Sequence, residues 1–206
     1  MAQEEFFQFK RERGCAILQL DSSDHTNKLT RVCVRSLLGV VQKLQAEAVR
    51  EEIAALIISG NRQFFSAGAD LNEIAQLTGV DAFEFSRLGQ RLMSAIDHFP
   101  VPVFAAIHGY CMGGGMDLAL ACDFRIAASN AVFGHRGASL GVMTGWGGTQ
   151  RLPRLIGKAR AMQMFLLAEM VPADEALKLG LVDAIAEDPV RIALGSKPFS
   201  GNTQRT

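Results

Sequence analysis

Apolar positions recur along this chain with two different periods, and each period predicts a different secondary structure. After Thr30, which can cap a helix, apolar residues return at steps of three and four: Val34, Leu37, Leu38, Val41 and Leu44. That spacing predicts a helix with one buried face. Continuous apolar runs at 54–59 and 103–107 instead predict strands that are buried on both sides. The alternation of strands and helices favours the α/β class.

The same patterns predict the other elements and one domain boundary. Residues 7–18 are predicted to form a hairpin around Gly14, and residues 61–70 a loop. Helices are predicted at 71–77, 81–99, 116–122, 149–156, 158–168 and 172–179, and extended segments at 124–127 and 181–186. No helix is predicted beyond residue 186, where Pro and Gly recur. We therefore expect one core domain at 1–186 and a short, poorly ordered tail at 187–206.

Composition excludes several classes of partner. Lys plus Arg total 21 and Asp plus Glu total 21, so the formal net charge is zero. No global field would then attract nucleic acid or an anionic membrane. The sequence shows no secretory signal pattern and no apolar run approaching the ~20 residues of a membrane span, so we expect a cytoplasmic protein.

The four cysteines are interpreted as small buried hydrophobic residues. Cys15, Cys33, Cys111 and Cys122 lack CxxC spacing and a matching set of histidines. This pattern argues against a zinc site or a redox pair, and no metal is expected.

Two glycine-containing segments carry the candidate chemistry. Each follows a predicted strand and precedes a predicted helix: FSAGAD at 65–70 and GGG at 113–115. The beginning of a helix presents backbone N–H groups without acceptors, and two such donors from separate segments can stabilise an oxyanion. Tight strand-to-helix turns without a functional role are the alternative interpretation.

At these residues the chain resembles the crotonase superfamily, the enoyl-CoA hydratase/isomerase family. The matching motifs are FSAGADL (65–71), AAIHGYCMGGG (105–115), CDFRIA (122–127), GGTQRL (147–152) and ALKLGLV (176–182). They occur in the family's order and cover roughly residues 5–186. Five collinear motifs are a much stronger signal than any one of them alone.

The resemblance implies a fold, a substrate and an assembly. The fold is a spiral of ββα units with two near-perpendicular sheets, here with a shortened C-terminal helical region. The substrate is an acyl-CoA thioester, and no cofactor is expected, because coenzyme A enters only as part of the substrate. Its carbonyl would lie between the N–H groups of Ala69 and Gly114, with further contacts from residues 22–29. The substrate-binding positions implied are Ala67, Gly68, Asp70, Gly113 and Gly137, and the assembly is a homo-oligomer (trimer or hexamer).

The acid positions depart from those of the family's hydratases, which carry two glutamates. The first position is Asp117 here and the second is Gly137, so hydration by paired carboxylates is not expected. Asp117 could instead act alone, as in isomerases, and decarboxylation stays open. A naphthoate-synthase-like reaction would need a bound bicarbonate, held by His135 or Arg136. These two residues are otherwise interpreted as a solvated turn.

Non-catalytic functions stay open, whereas two unrelated enzyme classes are disfavoured. The chain could bind acyl-CoA without catalysis or serve as an interaction subunit, and Met162, Phe165 and Leu166 are expected to expose apolar surface. The GASLG motif at 137–141 resembles a nucleophile elbow, but every histidine precedes Ser139, whereas the triad histidine of such hydrolases follows the serine. The spacing GxxxGGG at 109–115 also differs from the dinucleotide-binding GxGxxG.

Overall fold

A computed structural model describes residues 6–195 of the chain. The strands are β1 (Phe7–Glu12), β2 (Cys15–Leu20), β3 (Lys28–Leu29), β4 (Ala55–Ser59), β5 (Phe64–Ser66), β6 (Gly68–Ala69), β7 (Val103–Ile107), β8 (Tyr110–Met112), β9 (Phe124–Ala127), β10 (Val132–Gly134), β11 (Met170–Pro172) and β12 (Ala184–Ile185). The helices are α1 (Arg31–Val49), α2 (Leu71–Ala75), α3 (Gly79–Asp97), α4 (Gly114–Ala121), α5 (Gly148–Ile156), α6 (Lys158–Leu166), α7 (Ala173–Lys178) and α8 (Pro189–Gly195), with a 3-10 helix at Arg136–Leu140. The predicted α/β class is confirmed.

Within the described part of the chain, the strands form three sheets. The largest has the order β1-β2-β4-β7-β9-β12, antiparallel only between β1 and β2. A second sheet has the order β11-β10-β8-β5, and β3 pairs with β6 in a third. The continuous apolar runs become β4 and β7 at the centre of the large sheet, and every residue of both strands is buried. Parallel strands covered on both faces explain why these runs do not alternate.

Helices cover one face of the large sheet and form the main core. Thr30 caps α1 by accepting a hydrogen bond from the Cys33 N–H, as predicted. The predicted apolar positions of α1 are all buried. Helix α4 is buried at every residue, which explains why its sequence has no polar face apart from Asp117. This inner helix begins at the second glycine-containing segment.

The helix α8 covers the opposite face of the sheet and contradicts the expectation of no helix beyond residue 186. Ala193 belongs to the same buried cluster as Ile17, Ile57 and Phe104, and Val190 packs against this cluster. The rest of the predicted tail, residues 196–206, lies outside the described residues, and the division at residue 186 stays a prediction.

Two further predictions of secondary structure were wrong. The predicted loop at 61–70 contains β5 and β6, which pair with β8 and β3. Of the predicted strand at 181–186, only Ala184–Ile185 pairs as a strand, with β9. In both cases the pairing partner is distant in the sequence, so no local period could indicate it.

Burial confirms the interpretation of the cysteines. All four are buried with free thiols, and burial raises the pKa of Cys33 and Cys122 to about 12. Within residues 6–195, no helix is long and apolar enough to cross a bilayer.

Candidate active site

The two glycine-containing segments meet at the beginning of α4. Gly68 has φ +90°, and a Cβ there would lie 2.6 Å from Met112 O and 3.0 Å from Gly114 N. A Cβ on Gly114 would lie 3.3 Å from Ala69 N. Glycine is therefore required for the two backbones to approach each other. The Gly114 N–H belongs to the first turn of α4, where amides have no acceptor within the helix. Two amides in this arrangement can receive a developing oxyanion.

A cavity of about 600 Å³ opens beside these amides. Most of the predicted site residues line it: Ala67, Gly68, Ala69, Gly113, Gly114, Asp117 and Gly137. Its other walls are mainly apolar and come from α2, α3 and residues 138–146. An apolar cavity with a few convergent polar groups is the usual form of a small-molecule site.

Two predicted contacts with the ligand lie away from this wall. The Asp70 carboxylate caps α2 by accepting a hydrogen bond from the Asn72 N–H at 2.8 Å. Lys28, the one basic residue in the segment 22–29 apart from His25, has its Nζ 3.0 Å from Asp24 Oδ2 and 4.0 Å from Asp70 Oδ2. The predicted roles of Asp70 and the segment 22–29 therefore stay predictions.

Asp117 lies in the first turn of α4 and its side chain is fully buried. Thr144 Oγ1 donates a hydrogen bond to Oδ2. Burial raises the pKa of Asp117 to about 7, although the Thr144 hydroxyl, the Arg151 charge and the Gly148 amide act in the opposite direction. A carboxyl group with this pKa can both accept and donate a proton near neutral pH.

His135 is buried next to Asp117, so its interpretation as part of a solvated turn was wrong. Its Nε2 lies 3.5 Å from Asp117 Oδ1, and neither atom has a hydrogen-bond partner among residues 6–195. The ring packs on Phe165, with centroids 4.9 Å apart, and this contact removes both rings from solvent. Phe165 is therefore buried, contrary to expectation, whereas Met162, Leu166 and Arg136 are exposed.

The Asp117–His135 pair is best described as neutral. At 3.5 Å the two side chains could form an ion pair. Burial disfavours charge on both, however, and lowers the pKa of His135 to about 4 while raising that of Asp117. We therefore assign one proton to the pair, carried by the Asp117 carboxyl group while the His135 imidazole stays neutral. Gly148 packs against both side chains, and a Cβ there would overlap Asp117 Oδ1 and lie 2.9 Å from His135 Nε2.

Gly137 leaves the second acid position without a carboxylate. It lies in the 3-10 helix, and a Cβ at this position would overlap the Val142 carbonyl oxygen. Among the described residues that line the cavity, Asp117 is the only carboxylic acid. Ser139 lies in the same 3-10 helix and donates its hydroxyl to Arg136 O at 2.7 Å, so it does not occupy a strand-to-helix elbow.

Sequence reasoning missed three residues of this site: His135 as a buried neighbour, Thr144 as a donor, and Trp146 as part of the cavity wall. Thr144 and Trp146 lie in the segment between the 3-10 helix and α5, which has no periodic pattern. Trp146 is buried and packs edge-to-face on Phe85. The only local signal was a large aromatic residue in a glycine-rich segment.

The chain is similar to one protein family and to individual known proteins. The model of the family "Enoyl-CoA hydratase/isomerase" matches residues 10–191. A crotonyl-CoA hydratase of Syntrophomonas wolfei is 39% identical over 179 residues, which are 86% of this chain and 68% of that protein. A probable enoyl-CoA hydratase of Bacillus subtilis is 45% identical over 175 residues, 84% of this chain and 67% of that protein. This chain thus spans about two thirds of each relative's length.

Solved structures confirm the predicted fold. An enoyl-CoA hydratase of Bacillus anthracis superposes with a TM-score of 0.86 at 32% identity, covering 92% of this chain and 74% of that chain. DspI of Pseudomonas aeruginosa superposes with a TM-score of 0.89, also at 32% identity, covering 96% of this chain and 78% of that chain.

Proposed function

The chain belongs to the enoyl-CoA hydratase/isomerase family and is an enzyme of that type. On this premise we propose that Asp117 alone transfers protons to and from a bound enoyl-CoA thioester as its enolate forms and decays. The observation that carries the proposal is the composition of the cavity wall. Among the described residues it presents one carboxylic acid, Asp117, beside the Ala69 and Gly114 amides.

The two amides stabilise the enolate. Removal of a proton from the carbon next to a thioester places negative charge on the carbonyl oxygen. Backbone N–H groups of Ala69 and Gly114 would donate to this oxygen, in a cavity whose apolar walls strengthen such interactions. Loss of one such donor typically costs about 100-fold to 1000-fold in turnover in other enzymes.

Double-bond isomerisation is the reaction that this site fits best, because it needs only one acid-base group. The Asp117 carboxylate takes a proton from C2 of a 3-enoyl thioester, and the electron pair moves into the carbonyl to form a dienolate. The dienolate then takes the same proton from Asp117 at C4, which gives the 2-enoyl thioester. No atom is gained or lost. A pKa of about 7 suits both half-reactions.

Access to Asp117 requires a movement of the segment that carries Thr144. The carboxyl group has no exposed surface, and one of its oxygens accepts a hydrogen bond from Thr144 Oγ1. We propose that substrate binding displaces residues 142–144, which frees the Asp117 carboxylate to reach C2. The apolar side chains of Val142 and Met143 in this segment are exposed at the mouth of the cavity and could then contact the acyl group.

Hydration is the second candidate, favoured by the names of the relatives. In a single-acid version, Asp117 would take a proton from water while the hydroxyl adds to C3 of a 2-enoyl thioester, and would then return that proton to C2. In this reaction one group must act first as the base and then as the acid. Among the described residues of the cavity wall, no second carboxylate holds the attacking water.

A panel of CoA thioesters distinguishes the candidates. Purified protein is incubated with 3-butenoyl-CoA and with crotonyl-CoA, and products are identified by chromatography and mass. Conversion of 3-butenoyl-CoA to crotonyl-CoA without a gain of one water supports isomerisation, whereas a gain of water on crotonyl-CoA supports hydration. Calorimetric binding without any turnover would contradict both reactions and leave a thioester-binding protein.

The assembly and the cellular compartment stay proposals. We propose a homo-oligomer, a trimer or hexamer, to which the exposed apolar residues Met162, Leu166 and Leu167 of α6 and its C-terminal end would contribute contacts. Sedimentation equilibrium at micromolar protein measures the mass, and a monomer would contradict the proposal. A cytoplasmic location is proposed from the sequence alone.

A further inference from the structure

Trp146 forms the wall of the cavity directly beside Gly114. The side chain is 5% exposed and lines the cavity. A Cβ on Gly114 would overlap the six-membered ring of the indole at Cζ3 and lie 2.8 Å from Cε3. The ring is therefore in van der Waals contact with the residue whose N–H is proposed to receive the thioester oxygen.

The indole is held in this position from behind. A Cβ on Gly89 of α3 would overlap the indole at Nε1, so the missing side chain of Gly89 forms a notch that receives the ring. Phe85, one turn earlier on α3, packs edge-to-face on Trp146 with centroids 5.2 Å apart and an interplanar angle of 83°. Held between α3 and α4, the ring has no free space to retreat into when a ligand arrives.

We propose that Trp146 is the specificity-determining residue of this site and restricts it to short acyl groups. The inference rests on the proposed function, because it takes the thioester carbonyl to lie at the Gly114 N–H. The carbons attached to that carbonyl then lie next to the indole. An acyl chain that continues towards α3 meets the edge of the indole ring and, behind the ring, Phe85 and Gly89. Short unsaturated groups fit in front of the ring, whereas longer ones need the space that it fills.

The test is the dependence of kcat/KM on chain length. Wild type, Trp146→Phe and Trp146→Ala are compared on enoyl-CoA thioesters of four, six, eight and ten carbons. We expect wild type to prefer four carbons and to decline steeply with length. Each methylene that the enlarged pocket of Trp146→Ala buries should raise kcat/KM by about fourfold. The eight-carbon to four-carbon ratio should therefore increase at least about tenfold over wild type, and Trp146→Phe should lie between the two.

Two controls separate this inference from its premise. Phe83→Ala removes an exposed aromatic ring from α3 and should leave the chain-length profile unchanged. Because Trp146→Ala deletes a buried ring, Trp146→Phe provides the folded variant if the alanine variant is unstable. Identical profiles in wild type and Trp146→Phe, or a wild type that prefers ten carbons, would overturn the inference. If wild type turns over none of the thioesters, the proposed function fails. Calorimetric affinities for the same series then test independently whether Trp146 limits the length of the acyl chain.

Discussion

The neutral Asp117–His135 pair predicts opposite pH dependences of stability for its two single variants. In the folded protein the pKa of Asp117 is raised from 3.8 to about 7, so the unfolded chain binds fewer protons at this group across that interval. The free energy of unfolding therefore falls as pH rises. The pKa of His135 is lowered from 6.5 to about 4, so the unfolded chain binds more protons there, and the free energy of unfolding rises with pH.

In the wild type, the two contributions to the pH dependence of the unfolding free energy cancel. Each amounts to roughly 1 kcal/mol per pH unit between about pH 4 and 6.5, with opposite sign. Folding moves one proton from the imidazole to the carboxyl group without net uptake. Asp117→Asn leaves only the contribution of His135. The free energy of unfolding of this variant, relative to wild type, should therefore increase by about 3 kcal/mol from about pH 4 to 6.5. His135→Gln leaves only the Asp117 slope and should lose a similar amount.

Urea unfolding at about pH 4.5, 5.5 and 6.5 measures these differences, with wild type as the reference that cancels all other titrating groups. Burial is the main cause of both pKa shifts, so each shift should survive removal of the partner. The double variant Asp117→Asn/His135→Gln should run parallel to wild type. Single variants that both run parallel to wild type, or that change with the same sign, would refute the assignment of a buried neutral pair.

Three further predictions concern the neighbours of this pair and the sheet. Thr144→Val removes a donor that lowers the pKa of Asp117 in the free enzyme, so the rising limb of the pH profile of kcat/KM should move above pH 7, and an unmoved limb would contradict the assignment. Gly148→Ala places a Cβ against Asp117 Oδ1 and should reduce turnover at least about tenfold while CoA binding measured by calorimetry persists; normal turnover would refute that packing. Arg125→Met leaves the carbonyls of Leu181 and Cys122 without their donors and should lower the free energy of urea unfolding by roughly 2 kcal/mol; a change within about 0.5 kcal/mol would argue against this anchor.

Elements whose stability depends on local pattern could be predicted from the sequence. The period of α1 and its Thr30 cap, and the continuous apolar runs of β4 and β7, each contain the whole signal within one segment. The short strand β5 could not be predicted this way, because its partner β8 lies more than forty residues away. Helix α8 did carry a local signal that was overlooked: Pro189 begins it, and Asp188 accepts a hydrogen bond from the Arg191 N–H.

The residues of the candidate site also differ in whether a local sequence signal could predict them. Gly68 and Gly114 reveal a close backbone approach, because a side chain at either position would meet the neighbouring segment. The burial of His135 depends on Phe165, thirty residues later in α6, and that of Asp117 on Thr144. Contacts of this kind follow from the packing of separate segments, so neither the neutral Asp117–His135 pair nor the position of Trp146 in the cavity wall could be inferred from a motif.

The central claim is that Asp117 performs the proton transfer and does not merely support the fold. The most direct measurement is turnover of 3-butenoyl-CoA by wild type and Asp117→Asn, with calorimetric affinity for the same thioester and Asp174→Asn, an exposed aspartate of α7, as the matched control. We predict that Asp117→Asn loses at least about 100-fold in kcat with nearly unchanged affinity, whereas the control keeps both. Turnover by Asp117→Asn within about threefold of wild type would contradict the account.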